Sequence, residues 1–516
     1  MKKSRTPGEP INRREMVKRS SAAGVGAAMA LNSSTRLTGL AAEYDKYDGL
    51  GLAELIAKKQ VTPIELLNAV RQRVEALNPK LNAFCDLFFD KAEAQIKAGV
   101  GKGAFAGVPF ALKDIGIHMA GVKTTSGSRA FKDYTPGFDS TLTDRYKKAG
   151  LVILGRTTSP EFGLTTTTES ALFGQTRNPW NLEHTSGGSS GGTSAAVSAR
   201  ILPMAHGSDG GGSIRIPASC CGLFGFKPTR GRVPLGPNQF ESWNGCSHHH
   251  ALTISVRDSA ALLDATAGDE PGSPFLSPPP ARPFLKEVGL PPGKLRIALA
   301  IEPTTGAPVD AECRQATLDA AKLCESLGHK VVEAKLPIDD AVMRGAFLTI
   351  IRVSMARTLT DAAKTLGRAI TEQDVEPITW LIAQAGKEIS SVDYSRAIAT
   401  MHQTGLAMAK FMQAYDVILS PTLARLPVKL GVLSLSRSDV QGYTKDVSEF
   451  GPHCALYNVT GQPSMSVPLH WTKNGANGSL PVGVMFSGRF GEDGLLFRLA
   501  AQLEKAKPWA GRRPNV

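Results

Sequence analysis

Two stretches rich in glycine and serine lie close together near the middle of the chain: SGGSSGG at residues 186–192 and HGSDGGGSIRIP at residues 206–217. The small residues between them, at 193–202, predict a helix. Runs of glycine and serine are usually flexible linkers, but a linker is seldom followed at once by a helix pattern and apolar sequence. Neither stretch contains the Gly-Lys-Ser/Thr of a phosphate-binding loop. The pair therefore predicts two ordered loops inside a folded domain.

Outward from these loops, apolar runs alternate with helical periodicity. A capping box at Thr62 and Glu65, with Pro63 at the first helical position, begins a helix that extends to about Ala76. The alternation predicts an α/β sandwich with a mixed, mostly parallel sheet between helices. The proline-rich residues 271–283 are expected to be a surface crossover inside one domain, because strand patterns resume soon after them. Strands are predicted at 108–112, 151–154, 295–301, 417–419 and 482–486, and further helices at 311–327, 341–366, 394–414 and 492–505.

The composition excludes several classes of protein. Of 516 residues, 42% are hydrophobic and 20% are charged, which excludes wholesale disorder and collagen-like structure. No apolar run reaches the ~18 residues of a membrane-spanning helix. The formal net charge is +13, but the basic residues outside the amino terminus are scattered and no groove-reading motif accompanies them. Nucleic-acid binding is therefore not expected.

Residues 1–42 resemble a twin-arginine export signal. Arg13 and Arg14 precede Val17 and Lys18, an apolar run follows at 22–31, and small residues lie near 39–42. The alternative is a disordered basic tail. The signal predicts a bacterial protein that is periplasmic or otherwise exported, with its folded domain at residues 43–516.

The cysteines and the histidine triplet indicate neither disulfides nor a metal site. Seven cysteines are an odd number without metal-ligand spacing, and Cys220 and Cys221 lie in an apolar stretch typical of a core. Three consecutive histidines at 248–250 lack a cysteine or carboxylate at ligand spacing, and we expect them to form a polar loop.

Acyl transfer is a reaction that needs two glycine-rich loops. The nucleophile must approach a carbonyl closely, and the developing oxyanion needs backbone N–H donors. Three glycines directly before Ser213 meet both needs. A serine hydroxyl also needs a base. His184 and His206 are close in sequence, and Lys113 ends a predicted buried strand, where desolvation lowers a lysine pKa by up to ~3–5 units.

At this point the sequence resembles the amidase signature enzymes. Residues 187–192 and 209–219 are similar to the two halves of their signature, and Ser213 lies 24 residues after Ser189 and 100 after Lys113, as in that family. The resemblance covers nearly the whole chain after residue 45. It implies a single domain with a mixed sheet between helices.

The resemblance also implies a role for each matching residue. Ser213 corresponds to the nucleophile that forms an acyl-enzyme, Ser189 to the serine after a cis peptide bond that relays the proton, and Lys113 to the base that takes this proton and returns it to the leaving amine. Ser208 stands where many members have threonine and keeps the hydroxyl. The oxyanion hole corresponds to the N–H groups of Gly210, Gly211 and Gly212. Three further residues match positions that orient the loops: Ser190, Asp209 and Arg215.

The function implied is hydrolysis of a carboxylic amide without a metal or organic cofactor. The expected partner is a small-molecule amide, and a homodimer is left open. Peripheral stretches at 176–182, 205–209, 369–377 and 507–514 are similar to bacterial hydrolases of 6-aminohexanoate oligomers. Linear or cyclic amide oligomers are therefore candidate substrates.

Three alternatives remain at this stage. A serine esterase of the α/β-hydrolase type would use Ser189 as the nucleophile of a G-x-S-x-G elbow, but that elbow needs a preceding strand, and the polar residues 180–186 predict none. A transamidosome-type subunit shares the signature, but the export signal argues against a cytoplasmic tRNA substrate. A non-catalytic exported binding protein would not be labelled at Ser213 by a covalent serine probe.

Overall fold

The computed structural model describes residues 43–473 and 479–516. The predicted export signal at residues 1–42 lies outside them. The chain divides into two units, residues 1–47 and 48–516, and the described part of the first is a single 3-10 turn at Tyr44–Lys46. The second unit contains the sheets and the candidate site.

The second unit alternates strands and helices along the chain, as the sequence predicts. Within the described residues the strands are β1 (Phe84–Leu87), β2 (Pro109–Lys113), β3 (Val152–Thr157), β4 (Glu169–Ser170), β5 (Gly174–Gln175), β6 (Arg177–Asn178), β7 (Asn181–Thr185), β8 (Met204–Asp209), β9 (Phe224–Lys227), β10 (His248–Thr253), β11 (Arg296–Leu299), β12 (Lys330–Glu333), β13 (Val417–Pro421), β14 (Ser464–Trp471) and β15 (Pro481–Gly488). The helices are α1 (Gly49–Ala57), α2 (Pro63–Leu81), α3 (Phe89–Ala98), α4 (Thr141–Lys148), α5 (Gly191–Ser198), α6 (Arg215–Cys221), α7 (Val256–Thr266), α8 (Phe284–Glu287), α9 (Ala311–Ser326), α10 (Asp340–Leu366), α11 (Pro377–Lys387), α12 (Ser391–Phe411), α13 (Val440–Phe450), α14 (Ala455–Val459) and α15 (Asp493–Ala506).

The largest sheet of the described residues has eight strands in the order β12-β11-β13-β15-β14-β9-β10-β8. Helices surround it, and the predicted mixed α/β architecture is confirmed. The expected predominance of parallel pairs is wrong: only β11 with β12 and β11 with β13 are parallel, and the other five neighbouring pairs are antiparallel. Parallel neighbours need a long crossover connection, usually a helix, whereas β9 and β10, and likewise β14 and β15, follow each other without an intervening helix among the described residues and pair antiparallel.

A second sheet of three strands, β1-β3-β2, carries the predicted base. Strand β2 is parallel to β3 and buried over its whole length, as its continuous apolar sequence predicts. Lys113 is its last residue. The side chain therefore leaves the strand inside the protein.

The helix start that the local sequence predicts is present in the structure. Thr62 accepts a hydrogen bond from the Glu65 N–H, and the Glu65 side chain accepts one from the Thr62 N–H, so the predicted capping box begins α2. The helix ends at Leu81, five residues after the predicted end, because Asn82 adopts the left-handed conformation there. The proline-rich crossover is confirmed, since β10 before it and β11 after it belong to the same sheet.

Helices α10, α11 and α12 form a layer outside the sheets. A cluster of apolar side chains joins α10 and α11 to the loops beside the sheet: Ala130, Met355, Leu359, Val375 and Ala383. No helix in the described ranges is both long and apolar enough to cross a bilayer. This layer supplies one wall of the candidate site.

Candidate active site

The amine of Lys113 lies between two serine hydroxyls. Its Nζ donates to Ser189 Oγ at 2.7 Å and to Ser208 Oγ at 3.0 Å. The side chain is 0% exposed and forms no ion pair with a carboxylate among the described residues. The sequence predicted an amine near the Ser189 hydroxyl, and it missed only the contact with Ser208.

Burial changes the acid–base chemistry of Lys113. Desolvation disfavours the ammonium and lowers the pKa of Lys113 from 10.5 to about 7, against the opposing charge of Asp209. At neutral pH a large fraction of the amine is therefore uncharged. An uncharged amine next to a hydroxyl is the arrangement that general-base chemistry requires.

Ser189 is held by the loop between β7 and α5. The Gly188–Ser189 peptide bond is cis, as the resemblance implies. Ser190 joins this loop to β8: its hydroxyl donates to the Ser208 carbonyl at 3.2 Å and accepts from the Ser208 N–H at 3.4 Å. The two serine-bearing segments are thereby fixed beside each other.

Asp209 organises the turn that follows β8. Its carboxylate accepts from the N–H groups of Gly212 at 2.8 Å and Ile214 at 3.1 Å. The Arg215 guanidinium donates to both carboxylate oxygens, at 2.8 and 3.0 Å, and this pair is fully buried. Burial alone would raise the pKa of Asp209, but Arg215 and the hydrogen bond from Asn458 hold it below its usual value. The turn therefore closes around an ionised carboxylate.

Asn458 belongs to the same network, and the sequence did not single it out. Its Nδ2 donates to the carboxylate and to the carbonyl of Asp209, at 2.8 and 2.9 Å, and its Oδ1 accepts from Arg215 at 2.5 Å. A polar residue inside the apolar helix α14 is a signal that the sequence offers for it. Asn458 ties α14 to the turn.

The turn presents Ser213 and free backbone donors. Gly212 has φ +132°, and a Cβ there would lie 2.7 Å from Cys454 Cβ, so only glycine fits. The expectation that Gly212 donates to an oxyanion is wrong in this geometry, because its N–H is already bonded to Asp209. The N–H groups of Gly211 and Ser213 have no acceptor among the described residues. The Ser213 hydroxyl, half-buried, forms no hydrogen bond there either.

Ser213 lies where two cavities meet. The larger, about 220 Å³, is walled mainly by apolar side chains: Phe347, Ile351, Ile378 and Leu381 of the outer helical layer, Val447 of α13 and Leu164 of the loop between β3 and β4. The smaller, about 90 Å³, is more polar and contains Ser189, Ser208 and His249. Gly163 and Trp243 line both, and Trp243 lies over Gly210. No pattern in the sequence points to Trp243.

The histidines occupy positions that the sequence did not foresee. Residues 248–250 are not a polar loop: they begin the buried strand β10, between β8 and β9. His250 Nε2 bonds to Ser259 Oγ at 2.8 Å and His249 Nδ1 to His206 Nε2 at 3.0 Å, so the rings are accommodated as neutral side chains. Burial lowers the pKa of His249 and His250 to about 3.

Neither histidine candidate for the base contacts a serine of the site. His206 accepts from the Lys113 N–H at 3.2 Å and contacts His249. His184 lies in a bridge to Lys429. Of the three candidate bases, Lys113 alone is hydrogen-bonded to a site hydroxyl.

The α/β-hydrolase alternative fails for a reason other than the one expected. A strand does precede the loop at Ser189, because β7 ends at Thr185, so the prediction of no strand there was wrong. However, β7 pairs with the two-residue strand β6 and not with the central sheet. The hydrogen-bond partner of the Ser189 hydroxyl is a lysine, where the elbow needs a histidine.

The site contains no grouping typical of metal ligands. Among residues 43–473 and 479–516, no three His, Cys, Asp or Glu side chains lie together as a metal site requires. The seven cysteines are unpaired, and six of them are buried, including Cys220 and Cys221.

Comparison with known proteins gives one consistent result. The Amidase family profile matches residues 65–497. The 6-aminohexanoate-cyclic-dimer hydrolase of Pseudomonas sp. (strain NK87) is 36% identical over 481 residues, covering 91% of this chain and 96% of that enzyme.

Solved structures agree with this family assignment. A 6-aminohexanoate cyclic dimer hydrolase complexed with substrate superposes with a TM-score of 0.85 at 34% identity, over 91% of this chain and 98% of that one. A bacterial aryl acylamidase superposes with a TM-score of 0.80 at 28% identity, over 90% and 99%. The glycine-rich loops, the buried lysine and these matches lead to one conclusion. The chain belongs to the amidase signature family and is a hydrolase of carbon–nitrogen bonds other than peptide bonds.

Proposed function

We propose that the protein hydrolyses amides through a covalent acyl-enzyme on Ser213, with Ser189 as the proton relay and Lys113 as the base. The observation that carries this proposal is the 2.7 Å contact between the buried Lys113 amine and Ser189 Oγ. Ser189 and Ser213 line the same cavity. An amine with a pKa of about 7 accepts and returns a proton near neutral pH at low cost.

The steps balance without a cofactor. Ser213 Oγ attacks the amide carbon, and its proton passes to Ser189 while the Ser189 proton passes to Lys113 Nζ. When the tetrahedral intermediate collapses, the C–N bond breaks, and the proton returns from Lys113 through Ser189 to the leaving nitrogen. Water then attacks the ester by the same route and releases the acid.

The negative oxygen of the intermediate is assigned to the turn after Asp209. The Gly211 and Ser213 N–H groups are free to donate, and Gly210 adjoins them under the Trp243 ring. Removing one such donor typically reduces the rate by ~10²–10³-fold in acyl-transfer enzymes. Asp209 holds the turn through Gly212 and Ile214, so these donors are oriented before the substrate arrives.

The positions of the two cavities assign the two halves of the substrate. The leaving nitrogen must receive its proton from Ser189, which lines the smaller cavity and not the larger one. The amine half therefore occupies the smaller, polar cavity. The acyl half extends from Ser213 into the apolar cavity.

The charges around the apolar cavity favour a neutral acyl chain. Its charged lining residues are Arg344 and Arg352, and no acidic residue lines it within the described part of the chain. Arg344 is paired with Asp340, which does not line the cavity. The terminal ammonium of a linear aminohexanoate oligomer would therefore meet the charge of Arg352 there and no lining carboxylate. A cyclic oligomer has no free ammonium. Of the two oligomer types, the cyclic amide is therefore the better match, as are simple amides of medium-chain acids.

Product analysis by mass spectrometry tests this proposal. The panel contains cyclic and linear 6-aminohexanoate dimers, medium-chain alkyl amides and an aryl amide, with Ser213→Ala as the blank. We expect turnover of the cyclic dimer and the alkyl amides, an acyl adduct on Ser213 in the quenched enzyme, and no turnover by Ser213→Ala. Turnover retained by Ser213→Ala would reject the nucleophile, and preference for the linear dimer would reject the assignment of the acyl half.

A further inference from the structure

His249 lines the smaller cavity, on the face of the eight-stranded sheet that is turned toward Lys113. In the β8–β10 pair, His249 is opposite Ser208, whose hydroxyl contacts Lys113. The Cε1–Nε2 edge of its ring lies beside Gly116, where a Cβ would be only 3.0 Å from Cε1. Gly116 also lines the cavity, so the absence of a side chain there leaves this edge of the ring room at the cavity wall.

The protonation of His249 follows from a chain of three groups. The backbone N–H of Lys113 donates to His206 Nδ1, which must therefore be unprotonated. Burial keeps the His206 ring neutral, so its proton is on Nε2, and Nε2 donates to His249 Nδ1. His249 is neutral as well, and its proton is then on Nε2. The backbone N–H of Lys113 thereby fixes the proton of His249 on Nε2, at the edge of the ring beside Gly116.

Other polar side chains also line this cavity. Gln239 carries both a donor and an acceptor, and the indole N–H of Trp243 can only donate. The hydroxyls of Ser242 and Ser247 can either donate or accept. No Asp, Glu, Lys or Arg is among the described residues that line the cavity. His249 thus supplies a neutral donor of fixed polarity, which matches a carbonyl or carboxylate oxygen and disfavours an ammonium, which has no acceptor.

From this geometry we infer that His249 is a specificity residue that donates from Nε2 to an oxygen acceptor on the amine half of the substrate. The inference rests on the proposed function, because it takes the smaller cavity as the site of the leaving amine. A second amide carbonyl, such as a cyclic oligoamide carries, has the required chemistry. His206 acts as a positioning residue, since it does not itself line the cavity and sets the proton on His249.

The test compares pairs of amides that share one acyl group. Hexanoyl amides of ω-amino carboxamides and ω-amino acids of increasing chain length are measured against hexanoyl amides of alkylamines of equal length. All give the same acyl-enzyme, so differences in the leaving half appear in kcat/KM. The readout is the ratio of kcat/KM between the acceptor-bearing amide and its alkyl partner, at the chain length where this ratio is largest.

We expect His249→Phe to lower this ratio about five- to tenfold, which corresponds to one hydrogen bond. His249→Gln places an amide N–H near the position of Nε2 and is expected to retain most of the ratio. His250→Phe is the matched control, because His250 lies on the opposite face of β10 and bonds to Ser259. Its ratio is expected to equal that of the unaltered protein.

The outcomes separate this inference from the proposed function. If the unaltered protein hydrolyses neither amide of any pair, the proposed function fails. If both amides are hydrolysed but His249→Phe leaves the ratio unchanged, or if His250→Phe lowers it as much, the role of His249 is refuted. If the carboxamide and carboxylate series both lose their advantage in His249→Phe and regain it in His249→Gln, the donor role is established.

Discussion

Replacement of Lys113 by methionine is expected to abolish amide hydrolysis and to change how the stability of the chain depends on pH. In the unfolded chain the amine has its ordinary pKa of 10.5, and in the folded chain its pKa is about 7. The folded state therefore binds fewer protons between these values, and protonation favours unfolding. The depressed pKa of Lys113 therefore lowers the free energy of unfolding by about 4 kcal/mol at pH 7 and by about 2 kcal/mol at pH 9, and it has no effect above pH ~10.5.

The methionine variant lacks this effect. Its free energy of unfolding, minus that of the unaltered protein, should therefore be about 2 kcal/mol larger at pH 7 than at pH 9. Lost hydrogen bonds to Ser189 and Ser208 also change the stability, but neither hydroxyl titrates in this range, so their contribution cancels in the comparison between the two pH values. The sign follows from a depressed lysine pKa: stability contributed by Lys113 rises with pH.

Urea unfolding followed by circular dichroism at pH 7 and pH 9 measures this difference. Lys123→Met is the matched control for the loss of one positive charge, since its amine is exposed and paired with Asp133. The same pKa predicts that kcat/KM of the unaltered enzyme on an uncharged amide rises with a slope of one below pH ~7 and is level above it. A stability difference that is equal at the two pH values, together with a rate that rises until pH ~10, would refute the neutral amine.

Two further predictions concern the turn and the apolar cavity. Asp209→Asn leaves the buried Arg215 charge without its partner and should lower the free energy of unfolding by ~3–5 kcal/mol. The Asp209→Asn/Arg215→Met double variant should be more stable than Asp209→Asn alone. Urea unfolding of the single and double variants measures both effects, and simple additivity of the two single changes would contradict the buried pair. In the unaltered enzyme kcat/KM should rise about fourfold for each methylene added to a linear acyl chain until the cavity is filled, and Ile351→Trp should end this rise at a shorter chain. Leu406→Trp, on the exposed face of α12, is the control, and an equal chain-length profile in Ile351→Trp would show that the acyl group lies elsewhere.

The parts of the fold that the sequence predicted are those with strong local signals. Helix α10 was expected at 341–366 and is Asp340–Leu366, and β2 was expected from its uninterrupted apolar run. The predictions that failed concern residues whose structure depends on strands distant in the chain. Residues 248–250 are polar by composition, and only the flanking strands β8 and β9 make them a buried strand. Strand direction failed for the same reason, since alternation of strands and helices does not fix which strands become neighbours.

The site was predictable only where a motif carried it. Spacing alone does not bring Lys113 next to Ser189, because 76 residues separate them, and the expectation came from the family resemblance. Asn458 and Trp243 were given no role, because each contributes through a contact across the fold. The Gly212 N–H was misassigned, since the glycine-rich turn does not reveal that Asp209 already accepts from it.

The buried Asp209–Arg215 pair links the shape of the turn to the protonation of the base. The negative charge of Asp209 acts on Lys113 and favours the ammonium. Arg215 and Asn458 bind the same carboxylate, and the positive charge of Arg215 opposes its field. Without that opposing charge, the carboxylate would favour the ammonium more strongly, and less of the amine would be neutral at pH 7. Arg215, which binds the carboxylate that holds the oxyanion turn, therefore also helps to keep Lys113 able to accept a proton.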